Sequence, residues 1–162
     1  MLLMDVDGVL TNGKVIFTNS GDEIKEFDIQ DGMGITLAKK AGLFTGIITG
    51  RESKIIARRA EELNYDVIFQ GTPEKSAPYK EIKKQFGLSD EHICYIGDDL
   101  PDIPILRRAG FAVAVANARD ELKSVAHYVT EKKGGNGAIR EVIELILKSQ
   151  GKYESLLKKY FE

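Results

Sequence analysis

Four short stretches of the sequence carry residues that could share one piece of chemistry: Asp5 and Asp7 in MLLMDVDG, Thr49, Gly50 and Arg51 in IITGR, Lys75 in GTPEKS, and Asp98, Asp99 and Asp102 in GDDLPD. Each alone reads equally well as a turn, a strand exit or a solvated lysine. Together they would put several carboxylates within a few ångströms of one another, where one must protonate unless a cation intervenes. Hard oxygen donors with no histidine or cysteine companion favour Mg²⁺ over zinc or copper. A hydroxyl, a lysine and a carboxylate pair beside that cation suit phosphoryl transfer, in which charge on the phosphoryl oxygens is neutralised while a nucleophile attacks in line. Asp5 and Asp7, two apart on an extended strand, would face the same way, and Gly8 then permits a sharp exit.

The elements that would position these residues alternate along the chain. Leu2 to Val6 reads as a short buried strand, and Lys14 to Phe17 with Glu23 to Asp28 as a β-hairpin around a Gly-containing turn. Asp31 is placed to cap a helix carrying Ile35, Leu37, Ala38 and Ala41, which Gly42 would stop. Strands are predicted at 44–49, 66–69, 93–97 and 111–115 and near Tyr128, with helices at 75–86 and 103–108 and another around Ile56, Ala60 and Leu63. Ile139, Val142, Ile143, Ile146 and Leu147 mark a final strong amphipathic helix. Such alternation predicts a mostly parallel α/β sheet with helices on both faces, whose ligands bind outside the carboxyl ends of the strands. The four polar stretches fall at those ends or just beyond them.

Composition narrows the function classes. With 162 residues, 43% hydrophobic and 30% charged, the chain suits one soluble globular domain. Twenty-three Lys and Arg against 25 Asp and Glu leave a net charge of −2, which argues against nucleic acid or anionic lipid as partner. No apolar run is long enough to span a bilayer, and the first strand begins almost at Met1, so a cytoplasmic protein without a signal peptide is expected. The single cysteine, Cys94, excludes an internal disulfide and reads as strand interior. His92 and His127 have no metal-binding pattern near them and read as structural.

The motifs DVDGVLT at 5–11, TGR at 49–51, Lys75 and GDDLPD at 97–102 resemble, in order and character, the four motifs of the haloacid dehalogenase superfamily of phosphatases. DGVLTNG, DGMGI at 31–35, ITGRES and KGGNGAIREV narrow the resemblance to its 3-deoxy-D-manno-octulosonate 8-phosphate phosphatases, up to about Gly151. The resemblance implies a Rossmann-like three-layer fold, capless, with a hairpin insertion after the first strand. Residues 1–150, including the hairpin 14–28, would form one catalytic domain, and 151–162 a tail. It further implies an Mg²⁺-dependent phosphatase acting through an aspartyl phosphate, in the synthesis of lipopolysaccharide precursors. Asp5 would be the nucleophile and Asp7 the general acid and base. The metal would sit on the Asp5 and Asp98 carboxylates and the Asp7 carbonyl, and the phosphate on Thr49, Gly50 and Lys75. Asp99 and Asp102 would orient Lys75 or a metal-bound water. Asp28, Gln30, Asp31, Gly32, Arg51 and Arg59 match positions that contact substrate.

Two positions depart from that family's pattern: Gln30 stands where arginine is usual, and Asn136 where the glycine-rich tail motif has arginine. Losing two guanidinium groups removes bidentate carboxylate binding, so a nine-carbon sugar-acid phosphate stays open as substrate. No cap segment interrupts the motifs, and the family implies a homotetramer, so neighbouring subunits are expected to cover the site. The apolar Val15, Ile16, Phe17, Ile24 and Phe27 make the hairpin the expected assembly element. Tyr153, Leu156, Leu157, Tyr160 and Phe161 stripe a short terminal helix that would pack on its own domain or on a partner. Two other readings compete: a phosphotransferase, which would need an acceptor site, and a phosphate-receiving signalling module, which has no need of Asp7 as a paired acid.

Overall fold

A computed structural model describes residues 1–162. Strand β1 (Leu2–Met4) is apolar and wholly buried, because it lies at the centre of a six-stranded sheet. Hairpin strands β2 (Ile16–Phe17) and β3 (Glu23–Ile24) form a separate antiparallel pair, shorter than the sequence predicts. The chain then runs through α1 (Ile29–Lys40), β4 (Thr45–Ile48), α2 (Lys54–Glu62), β5 (Val67–Phe69), α3 (Ser76–Phe86) and β6 (Cys94–Gly97). A 3₁₀ turn, Leu100–Asp102, leads into α4 (Ile103–Leu106), followed by β7 (Phe111–Ala114), α5 (Asp120–Lys123), β8 (Tyr128–Val129), α6 (Ala138–Ser149) and α7 (Tyr153–Leu157).

The large sheet has the order β5-β4-β1-β6-β7-β8, all parallel. From β1 the chain moves outward to β4 and β5, then returns to the other side of β1 to lay down β6, β7 and β8. Right-handed crossovers therefore put the helices that lead outward to β5 and those that lead to β6, β7 and β8 on opposite faces; α6, after the last strand, returns to pack on α1, while α3 packs against α4. This three-layer α/β fold has its topological switch point between β1 and β6, the place where open sheets leave a crevice. Met4 pairs with Ile47 on one side and Ile96 on the other, so the residues that follow these three strands emerge together at one edge.

The core is a single cluster that includes Leu2, Leu3, Met4, Ile47, Ile48, Tyr95 and Ile96 from the sheet and Ile139, Val142 and Ile143 from α6. Cys94 is buried within it, as expected of a strand interior. His127 accepts the Ala112 N–H on Nδ1, a structural use.

The start of α1 differs from the sequence reading. Helix α1 is capped by Asp28, whose carboxylate accepts the Gln30 N–H at 2.6 Å, and it starts three residues before the predicted site. Asp31 lies inside the helix, buried, and accepts N–H bonds from Gly137 and Arg140 at the start of α6. The tail folds back on its own chain: Tyr153 and Leu156 pack on the core, and Lys152 Nζ donates to the Ala41 carbonyl. Ala41 ends α1 at the amino-terminal edge of the sheet, so the tail sits at the opposite end from Asp5. Tyr160 and Phe161 remain exposed. No helix is long and apolar enough to cross a membrane.

Candidate active site

Asp5 ends the buried run of β1, and its N–H continues the ladder by donating to the Ile96 carbonyl. The chain then winds through one tight turn in which the N–H groups of Val9, Leu10 and Thr11 all point at the Val6 carbonyl. Gly8 makes that turn possible: it has φ +92°, and a Cβ there would lie 2.0 Å from Asp98 Oδ2. Asn117 clamps the turn, donating to the Gly8 carbonyl and accepting the Gly134 N–H.

A cleft of about 440 Å³ opens at this edge and is lined by Asp5, Asp7, Thr49, Gly50, Arg51, Lys75, Asp98, Asp99 and Asp102, all nine residues of the four motif stretches. Lys75 is buried, and its ammonium lies 2.9 Å from Asp5 and 2.7 Å from Asp102. Burial alone would lower its pKa, but the Asp102 and Asp5 carboxylates outweigh burial and hold it above the ordinary value. Asp102 is fully engaged: Oδ1 also accepts the Tyr95 hydroxyl, and Oδ2 accepts the N–H groups of Asp98 and Asp99. Asp99 in turn caps the 3₁₀ turn through the Leu100 N–H. Thr49 is buried, with its hydroxyl accepting the Arg51 N–H.

The electrostatics of the cleft are those of a site made for a cation. Asp5, Asp98 and Asp102 bring carboxylate oxygens within 4.8 Å of one another. Burial and the Asp102 charge push Asp5 up to about 6 against the pull of Lys75. Burial, then the charges of Asp5 and Asp102, push Asp98 up to about 8. Asp98 Oδ1 is buried with no hydrogen-bond partner. Because Asp102 is occupied by Lys75, Tyr95 and two backbone N–H groups, Asp98 and the oxygen of Asp5 that does not meet Lys75 are left to hold a divalent ion. An all-oxygen donor set of this kind fits Mg²⁺.

The remaining residues expected to touch substrate lie elsewhere. Asp28 is the α1 cap, and Asp31 is spent on the α6 N-terminus. Gly32 gives room to Arg59, whose Nη2 would lie 2.6 Å from a Cβ at position 32. Arg59 stacks on Phe27 at 5.7 Å and pairs with Glu62, outside the Asp5 cleft. Gln30 lines a separate groove with Lys132 and Arg140. Arg51 does reach the cleft, but its guanidinium donates to Glu23 of the hairpin at 2.9 Å.

The sequence reading missed the hairpin's polar face. Lys25 buries its ammonium against Asp7 Oδ1 at 2.5 Å, and Glu23 binds Lys25, Arg51 and the Ser53 hydroxyl. The one available signal was the spacing of Glu23 and Lys25, which puts both on the same face of a strand.

Known proteins share this fold. Residues 53–143 match the family of haloacid dehalogenase-like hydrolases. The chain is 42% identical to the 3-deoxy-D-manno-octulosonate 8-phosphate phosphatase KdsC of Yersinia pestis over 154 residues, 95% of this chain and 82% of that protein. It superposes with a TM-score of 0.96 on the 3-deoxy-D-manno-octulosonate 8-phosphate phosphatase of Moraxella catarrhalis, crystallised with a magnesium ion, a phosphate ion and KDO, at 43% identity over 98% of this chain and 91% of that one. A probable YrbI family phosphatase of Pseudomonas syringae gives a TM-score of 0.98 at 43% identity, covering 99% of this chain and 92% of its own.

Proposed function

The chain belongs to the haloacid dehalogenase-like hydrolases, among the 3-deoxy-D-manno-octulosonate 8-phosphate phosphatases, and from that premise we propose that it is the Mg²⁺-dependent phosphatase that releases phosphate from this eight-carbon sugar acid. The observation that carries this reading is the Asp5 cleft, where a nucleophile, a neighbouring acid, a buried lysine and the unpaired Asp98 carboxylate converge at the sheet's switch point.

Asp5 attacks phosphorus while the bond from phosphorus to the sugar oxygen breaks, leaving an aspartyl phosphate. Asp7 gives its proton to the departing sugar oxygen. It then takes a proton from the water that attacks the aspartyl phosphate and restores Asp5. Lys75, held by Asp102, and the Thr49 hydroxyl with the adjoining Gly50 backbone grip the phosphoryl oxygens. The Asp5 and Asp98 carboxylates and the Asp7 carbonyl would hold Mg²⁺, which when bound would neutralise charge on the phosphate and offset the carboxylate repulsion. Asp99 and Asp102 fix the loop that carries Asp98.

Residues 1–150 act as the catalytic domain, with 151–162 as a tail, in a cytoplasmic homotetramer. Val15, Ile16, Phe17 and Ile24 support assembly through the hairpin, because they are exposed together on a two-stranded ribbon that covers little by itself. Phe27 packs on its own core and is not part of that surface. Asp28, Gln30 and Arg59 lie outside their own Asp5 cleft, so any substrate contact from them is made to a neighbouring subunit.

The test is phosphate release from the eight-carbon 8-phosphate, a nine-carbon sugar-acid 9-phosphate and simple sugar phosphates, each with Mg²⁺ and with chelator. The eight-carbon substrate is expected to give the highest kcat/KM, and only with Mg²⁺. A higher value for the nine-carbon acid would transfer the assignment to it and tie the change to Gln30 and Asn136. Absence of turnover on every phosphate would leave a phosphate-receiving module.

A further inference from the structure

We propose that Lys25 is a positioning residue for proton transfer: it anchors one oxygen of Asp7 so that the other is presented to the leaving group. The proposal rests on the reading of Asp7 as the acid.

Lys25 belongs to a hairpin whose other faces are open, yet its side chain is only 1% exposed. Burying an ammonium is costly unless it is paired, and Lys25 is paired twice, with Asp7 Oδ1 at 2.5 Å and Glu23 Oε1 at 3.3 Å. The two oxygens of Asp7 are thereby made unequal. Oδ1 is taken, whereas Oδ2 is buried with no hydrogen-bond partner, its nearest cation being Arg51 Nε at 3.9 Å. An unpartnered buried oxygen beside a phosphoryl site is placed to carry the proton. Glu23 ties the arrangement down, since it also binds the Arg51 guanidinium and the Ser53 hydroxyl that caps α2. Lys25 is thus the hairpin's direct contact with the Asp7 carboxylate, and without it that carboxylate has no hydrogen bond to fix χ1 and χ2.

The experiment compares kcat/KM on two substrates that differ in their need for a proton. Departure of a sugar alkoxide from 3-deoxy-D-manno-octulosonate 8-phosphate requires an acid, whereas p-nitrophenolate leaves p-nitrophenyl phosphate without one. Because kcat/KM reports the steps through formation of the aspartyl phosphate, it isolates the leaving-group event from the later attack of water. D7N should lose at least about 100-fold more on the sugar phosphate than on the aryl phosphate. K25M should show the same selectivity, at least about ten-fold, with K25R recovering part of it. K25Q is read by the same ratio if K25M does not fold. Equal losses on both substrates in the Lys25 variants, with D7N selective, would overturn the role of Lys25 and leave it a plain hairpin anchor. A D7N enzyme with an unchanged ratio would instead overturn the reading of Asp7 and the proposal with it.

Discussion

Lys75 and Asp102 form a buried ion pair, 2.7 Å long, with side chains 4% and 1% exposed. The pair is also the hub of the cleft, because Asp102 holds Tyr95 and the N–H groups of Asp98 and Asp99, while Lys75 reaches Asp5. Removing Asp102 leaves Lys75 with Asp5 alone and strips the acceptor from the Tyr95 hydroxyl and two backbone N–H groups, at about 1–3 kcal/mol for each buried group left unpaired, or about 3–5 kcal/mol together. Asp102→Ala is therefore expected to lower the unfolding free energy by that amount in urea titration and to abolish phosphate release. A variant within about 1 kcal/mol of the parent would mean that solvent replaces Asp102 at little cost.

Asp98, only four residues away, should behave in the opposite sense. It forms no ion pair and has an unpaired buried oxygen, and burial with the charges of Asp5 and Asp102 outweighs the pull of Lys75. With chelator and above about pH 8, where Asp98 is ionised, Asp98→Asn relieves that repulsion. The metal-free melting temperature should rise by about 2–4 °C, while the stabilisation given to the parent by added Mg²⁺ disappears. Differential scanning fluorimetry reads both. A lower melting temperature in chelator would show that Asp98 is not an electrostatic burden.

Asp5→Asn separates chemistry from folding. Lys75 keeps Asp102 as partner when the Asp5 charge is removed, so the fold should persist with an unchanged circular dichroism spectrum. An amide cannot form the aspartyl phosphate, and turnover should fall by at least about 1,000-fold. Residual activity within ten-fold of the parent would rule out the covalent route.

Much of this cleft was readable because the sheet's chemistry and its packing demand opposite residue types. Leu2–Met4 is apolar because it is buried on both faces, so the sudden polarity at Asp5 marks the end of the strand, and Asp98 after β6 repeats the signal. Lys25 was not readable in this way. Its neighbours Glu23 and Glu26 look like an alternating solvated ribbon, and its burial exists only once the hairpin folds over Asp7, 18 residues away in sequence. Asp28 and Asp31 are both credible caps by residue type. The choice between them is made by α6, whose N-terminal N–H groups recruit Asp31 across more than 100 residues. Helix α5 spans only Asp120–Lys123, too short to show a helical period.

Asp31 gives a pH signature apart from the cleft. Burial pushes its pKa from 3.8 to about 6, despite the N–H bonds it accepts from Arg140 and Gly137. Between those values the folded protein holds a proton that the unfolded chain has released, so stability falls as pH rises through this window. The contribution is of order 3 kcal/mol at most. The stability of the parent minus that of Asp31→Asn should therefore decline from pH 4 to about pH 6 and flatten above pH 7. Urea titrations across that range test it, and a difference independent of pH would show Asp31 ionising normally.

The tail offers the sharpest test of assembly. Its anchor at Ala41 and the packing of Tyr153 and Leu156 hold it at the amino-terminal edge of the sheet, away from its own Asp5 cleft. Whatever residues 151–162 do for catalysis must then be done for a neighbouring subunit. Truncation after Gln150 should lower kcat/KM several-fold, and co-expression with full-length Asp5→Asn should recover it, since the inactive subunit still lends its tail. Recovery should vanish when the Asp5→Asn partner is itself truncated. A truncated enzyme with the parent's kcat/KM and oligomeric mass would confine the tail to packing on its own core.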